Sequence, residues 1–68
     1  MELVKKISQE LRERGNKVIK MVFWNETRGN LSVVYKSGKI INYPQEGVLN
    51  ADLTINQICD NIENEYVK

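Results

Sequence analysis

Two runs of β-branched and aromatic residues, Leu31 to Lys36 and Lys39 to Tyr43, flank the pair Ser37-Gly38. No other stretch limits the fold as tightly, because a Gly-containing pair between two such runs is a strong short-range signal for a β-hairpin. A two-residue loop would set Lys36 opposite Lys39, Tyr35 opposite Ile40 and Val33 opposite Asn42. Pro44 lacks a ladder donor and marks the end of the third strand or an edge position.

The flanking segments complete an α-β-β-β-α order. Leu3, Ile7 and Leu11 recur every four residues with Val4 beside them, which predicts a helix over Glu2 to Arg14, and Gly15 supplies the residue that can end it in the left-handed conformation. Lys17 to Trp24 reads as a strand, and the polar stretch Asn25 to Asn30 returns the chain to Leu31. Gln45 to Asp52, with Gly47 and Asn50 as turn formers, reads as a connection across the end of the sheet. Asp52 or Thr54 caps a second helix, Thr54 and Gln57 fit a capping box, and Ile55, Ile58, Cys59, Ile62 and Tyr66 form its apolar stripe. The expected fold is therefore α+β: one domain over residues 1–68, a three-stranded antiparallel meander with two flanking helices.

The hairpin register distributes side chains between the two faces of that sheet. With Trp24 opposite Leu31, one face carries Val18, Lys20, Val22, Trp24, Leu31, Val33, Tyr35, Ile40 and Asn42, and the other carries Ile19, Met21, Phe23, Ser32, Val34, Lys36, Lys39, Ile41 and Tyr43. A slip of one residue or a bulge in the first hairpin would exchange the sets. Both faces are substantially apolar, whereas a sheet with one wet face alternates cleanly. Two helices on one side cover only one face, so the surplus must meet a second copy, another partner, or a helix on the opposite side.

A chain of 68 residues buries only about 60% of the surface that its unfolded form exposes, so small domains of this size often carry a staple. Cys59 is the only cysteine and there is no histidine, which rules out an internal disulfide and an ordinary zinc site. No metal or other cofactor is expected. Met1 to Lys6 turns charged at once without an apolar core region, so neither a signal peptide nor a spanning helix is expected and the cytoplasm is the default location. The net charge of +1 conceals an asymmetry: residues 1–39 hold nine basic and four acidic side chains, residues 40–68 one and five. Such a field orients a charged partner or a second copy.

No constellation for catalysis stands out. There is no His general base, no Gly-rich phosphate loop followed by a helix, and no carboxylate pair at a spacing that defines a cleft. Cys59 falls inside the apolar stripe, where a thiol behaves as a small hydrophobe. The expectation is a small non-enzymatic protein-interaction module that binds through an apolar sheet face, to another protein or to itself as a homodimer. Regulators and inhibitors of phages and mobile elements include modules of this size. The partner-binding candidates are Lys20, Val22, Trp24, Arg28, Val33, Tyr35 and Lys36.

The alternative is a nucleic-acid-binding module, in which aromatic faces such as that of Trp24 stack on bases and Lys20, Arg28 and Lys36 hold phosphates. The element order is similar to that of the double-stranded RNA-binding domain. That family grips phosphates through a basic start to its last helix, where this chain has Asn50-Ala51-Asp52-Leu53-Thr54-Ile55, so the similarity extends to element order and no residue role carries over.

Overall fold

The computed structural model describes residues 2–44 and 53–65, in the order α1 (Glu2–Glu13), β1 (Ile19–Asn25), β2 (Asn30–Tyr35), β3 (Ile40–Pro44) and α2 (Ile55–Glu63). The strands form one antiparallel sheet in the order β1-β2-β3, the meander expected from the sequence. The connection from Gln45 to Asp52 and Tyr66 of the apolar stripe lie outside the described residues.

Helix α1 ends as its sequence dictates. Gly15, at φ +67°, donates to the Arg12 carbonyl, and Asn16 donates to that of Leu11, each at 3.0 Å. This pair of bonds satisfies two carbonyls that the last helical turn would otherwise leave open. Asn16 then shapes the path into β1. Its side-chain oxygen accepts from the backbone N–H groups of Val18 and Ile19 at 2.9 and 3.0 Å, and its amide donates to the Ile19 carbonyl at 2.8 Å. At α2, Thr54 rather than Asp52 is the observed cap: its hydroxyl accepts from the Gln57 backbone at 3.1 Å while the Gln57 side chain accepts from the Thr54 N–H at 2.9 Å. That reciprocal pair fixes where α2 begins.

The first hairpin has Trp24 opposite Leu31, as expected, together with a bulge between Ile19 and Met21. The bulge accommodates Lys20 as an extra residue, so Ile19 pairs with Tyr35 and falls on the same face as Val22. This corrects the expected faces: Ile19 is core, and Val18 and Lys20 are exposed.

The second hairpin departs from the expected register by one residue. Val34 faces Ile40, Val33 faces Ile41 and Leu31 faces Tyr43, and the Tyr35 N–H donates to the Lys39 carbonyl at 2.8 Å. The loop is therefore Lys36-Ser37-Gly38, closed by the Gly38 N–H on the Tyr35 carbonyl at 2.9 Å, with Gly38 at φ +97°. Three-residue hairpin loops with a positive-φ glycine last are a common solution. The physical gain is clear from what each register would bury. The observed one turns Tyr43 and Ile41 inward and leaves Asn42 outside, where its side-chain oxygen accepts from the Ser32 hydroxyl at 2.7 Å; the expected one would have turned Asn42 into the apolar core.

Both helices pack on one face of the sheet. The core joins Ile7 and Leu11 of α1 and Ile58, Cys59 and Ile62 of α2 to Ile19, Val22, Leu31, Val33, Tyr35 and Tyr43. Two polar arrangements pin it. Inside, the Tyr35 hydroxyl donates to the Ile62 carbonyl at 2.6 Å, which leaves its oxygen to accept from the Tyr43 hydroxyl. Burial is the main reason why both phenols titrate above their ordinary range. At the rim, Arg14 bridges the helices: it donates to Glu10 at 2.9 Å, Asp60 at 2.6 Å, Glu63 at 2.7 Å and the Asn56 carbonyl at 2.9 Å. One planar guanidinium with several donors can hold four residues at once, which an ammonium cannot do in the same geometry. Its hydrogen bonds to Glu10 and Asp60 raise its pKa further and hold it charged.

Candidate functional site

With both helices on one side, the opposite face of the sheet carries its own side chains. The strand pairing sets Met21, Val34 and Ile40 in one row across the sheet and Phe23, Ser32 and Asn42 in the next. Met21 is 50% exposed, Phe23 41% and Ile40 59%, with Val34 half-buried between them. Large apolar side chains at such exposure in adjacent positions form a patch, whereas a single exposed one is ordinary. Ser32 is buried among these side chains, with its hydroxyl donated to the Asn42 side-chain oxygen. Val18, 43% exposed, extends the patch at one end.

The sequence-derived candidates divide between the two faces. Val22, Val33 and Tyr35 are core residues under the helices, with at most 8% of each accessible, and Trp24 is half-buried against the same core. Val22, Val33 and Tyr35 are thus withdrawn from any partner while the fold is intact, whereas Trp24 keeps part of its surface accessible. The one-residue register change and the bulge account for this, since they decide which face the helices cover. Lys20, Arg28 and Lys36 are exposed, as expected of charged residues. Lys36 and Lys20 sit at the same end of the sheet, where the Lys36 N–H donates to the Val18 carbonyl at 2.9 Å. Arg28 lies in the loop at the other end of β2, roughly 20 Å away by the rise per strand residue. The structure thus brings two of the three cations together. Met21, Phe23 and Ile40 were not among the candidates; a test of which register buries Tyr43 in place of Asn42 would have found them.

Other reactive groups are closed off. The Cys59 thiol is fully buried, contacts the Ile7 carbonyl at 3.8 Å, and is pushed up to about 11 chiefly by that burial. Lys39 is engaged at 2.8 Å by Glu65, whose hydrogen bond raises the pKa of the ammonium. Between α1 and β1 runs a groove of about 390 Å³, lined on one side by Ser8, Leu11 and Arg12 and on the other by residues 19–22. Among the described residues no helix is long and apolar enough to cross a membrane.

Comparisons were made with protein-family models, curated proteins and solved structures. None of the three found a match.

Proposed function

We propose that this chain is a non-enzymatic protein-interaction module that holds an acid-rimmed apolar surface of another protein against the outer face of its sheet. The observation that carries the reading is the patch of Met21, Phe23, Val34 and Ile40 with Lys20 and Lys36 beside it. Its apolar side chains leave area on the order of 300 Å², within the range of the largest patch on an ordinary monomer, which is often functional. A stable interface takes roughly 800 Å² from each side, so the patch serves as the centre of a wider contact with a charged rim. Lys20 and Lys36 make one end of that rim cationic. A second copy packed with like ends together would bring lysines against lysines, whereas a partner with carboxylates beside its apolar centre complements it.

The nucleic-acid reading has less support. Two of the three tyrosines are sealed in the core and Trp24 is half-buried, which leaves Phe23 as the one well-exposed aromatic among the described residues, and Arg28 lies at the opposite end of the sheet from Lys20 and Lys36. A stacking platform sets several open aromatic faces among its cations.

Panning a random peptide library against the folded chain, followed by mapping the bound peptides through amide chemical shifts, tests the proposal. Binders should converge on Met21, Phe23 and Ile40, and Phe23→Lys combined with Ile40→Lys should weaken them at least tenfold. Binders that map to α2, or that tolerate the double substitution, would refute it.

A further inference from the structure

β1 is an edge strand: among the described residues only β2 pairs with it, so alternate N–H and C=O groups along its other side have no ladder partner. Edge strands are usually blunted. Here the bulge at Lys20 interrupts one end, and the regular stretch from Met21 to Asn25 still offers about 17 Å of ladder. Alongside this strand lies the groove between β1 and α1, with Leu11, Ile19 and Val22 for a floor. A groove between a helix and an edge strand has the shape that receives an added strand.

Charge selects what could enter. Arg12 and Lys20 line the groove, none of its lining residues is a carboxylate, and neither cation has a salt bridge among the described residues. The adjoining depression on α1 adds Lys5, with Glu13 as its one acid. By contrast, Arg14 and Lys39 are consumed internally by Glu10, Asp60, Glu63 and Glu65. Arg12 and Lys20 thus leave unpaired positive charge beside this edge and its groove.

We infer that β1 accepts an extended acidic segment of a partner protein as a fourth strand, its acids turned toward Arg12 and Lys20 and its apolar residues continuing the outer patch beside Met21 and Phe23. The pleat requires this alternation, since successive side chains of an added strand point to opposite faces. The inference rests on the protein-interaction reading and specifies the partner's local structure and charge. Unpaired backbone donors and acceptors along β1 suit an extended peptide, whereas a nucleic acid needs a run of open aromatic faces and β1 offers Phe23 alone at more than a third exposure.

The test is a titration of the isotope-labelled chain, at low salt, with the end-blocked heptapeptide Glu-Val-Glu-Ile-Glu-Val-Glu. Amides of residues 19–25 should shift and exchange more slowly with solvent. N-methylation of one alternate set of peptide residues should weaken binding at least tenfold while methylation of the other set has little effect, a pattern that only strand pairing produces. Arg12→Glu with Lys20→Glu should lower affinity at least tenfold and allow the lysine counterpart of the peptide to bind. Should that variant fail to fold, the pair of N-methylated peptides on the unaltered chain still decides. Absence of β1 shifts at millimolar peptide, indifference to the methylated set, or the same shifts from oligothymidylate would overturn the inference. The outer-face reading fails separately, through the library binders and the Phe23 and Ile40 substitutions.

Discussion

The two faces of this sheet are built from similar residues and differ in what covers them. Val22, Leu31, Val33 and Tyr43 meet two helices and are sealed, while Met21, Phe23 and Ile40, from neighbouring positions on the same strands, stay open to solvent. Composition does not separate them, since both sets are apolar. What separates them is parity along each strand, fixed by a bulge at Lys20 and a three-residue loop at Lys36-Ser37-Gly38. An apolar side chain therefore stabilises the fold on one face and is left for other uses on the opposite one.

The sharpest way to break that comparison is to truncate a residue of the covered face. Leu31→Ala, at a fully buried site, should cost about 3 kcal/mol, a large part of what a domain of this size has, and urea denaturation would show it. If the loss were below about 1 kcal/mol, the covered face would not be the core. Arg14→Ala tests the rim of that face. It strands Glu10, Asp60 and Glu63 beside one another, and we expect a loss of about 1–2 kcal/mol, smaller in high salt because Asp60 is well exposed. Arg14→Lys should restore only part, since one ammonium cannot reach all four residues.

Tyr35→Phe removes the hydroxyl that joins Tyr43 to the Ile62 carbonyl and should cost about 1 kcal/mol. The same pair predicts the response to alkali. Both phenols titrate higher in the folded chain than their ordinary value of 10.0, and the Cys59 thiol moves from 9.0 to about 11. The folded state then holds protons that the unfolded state releases, so the thiol's contribution is fully present below pH 9 and is lost as pH rises from there through 11, while that of the phenols is present below pH 10 and is lost as pH rises above it. A denaturation midpoint that stayed constant from pH 8 to pH 11 would contradict the burial of these groups.

Much of the covered face could be read from the sequence. The stripe of Ile55, Ile58, Cys59 and Ile62, the Gly15 terminus and the Thr54-Gln57 capping box are local patterns, and local patterns are fixed by residues a few positions apart. Which side of the sheet they would cover was not legible, because that depends on pairing. Ser37-Gly38 signals a hairpin without distinguishing a two-residue loop from a three-residue one, and the difference is worth only what burying Tyr43 in place of Asn42 gains. The Arg14 bridge was hidden for the same reason: its spacing to Glu10 shows in the sequence, but its contacts with Asp60 and Glu63 span more than forty residues. The candidate site thus shifted from Val22, Val33 and Tyr35 to Met21, Phe23 and Ile40 without any change of element.

One face of the sheet holds the fold, and we propose that the other holds a partner. The most direct test pairs the unfolding midpoint of Phe23→Ser with Ile40→Ser against the affinity of a peptide selected on the unaltered chain. The account predicts stability within about 1 kcal/mol of the parent and binding lost at least tenfold, as for exposed positions with no structural role. A core-sized loss of stability with affinity preserved in the folded fraction would contradict it.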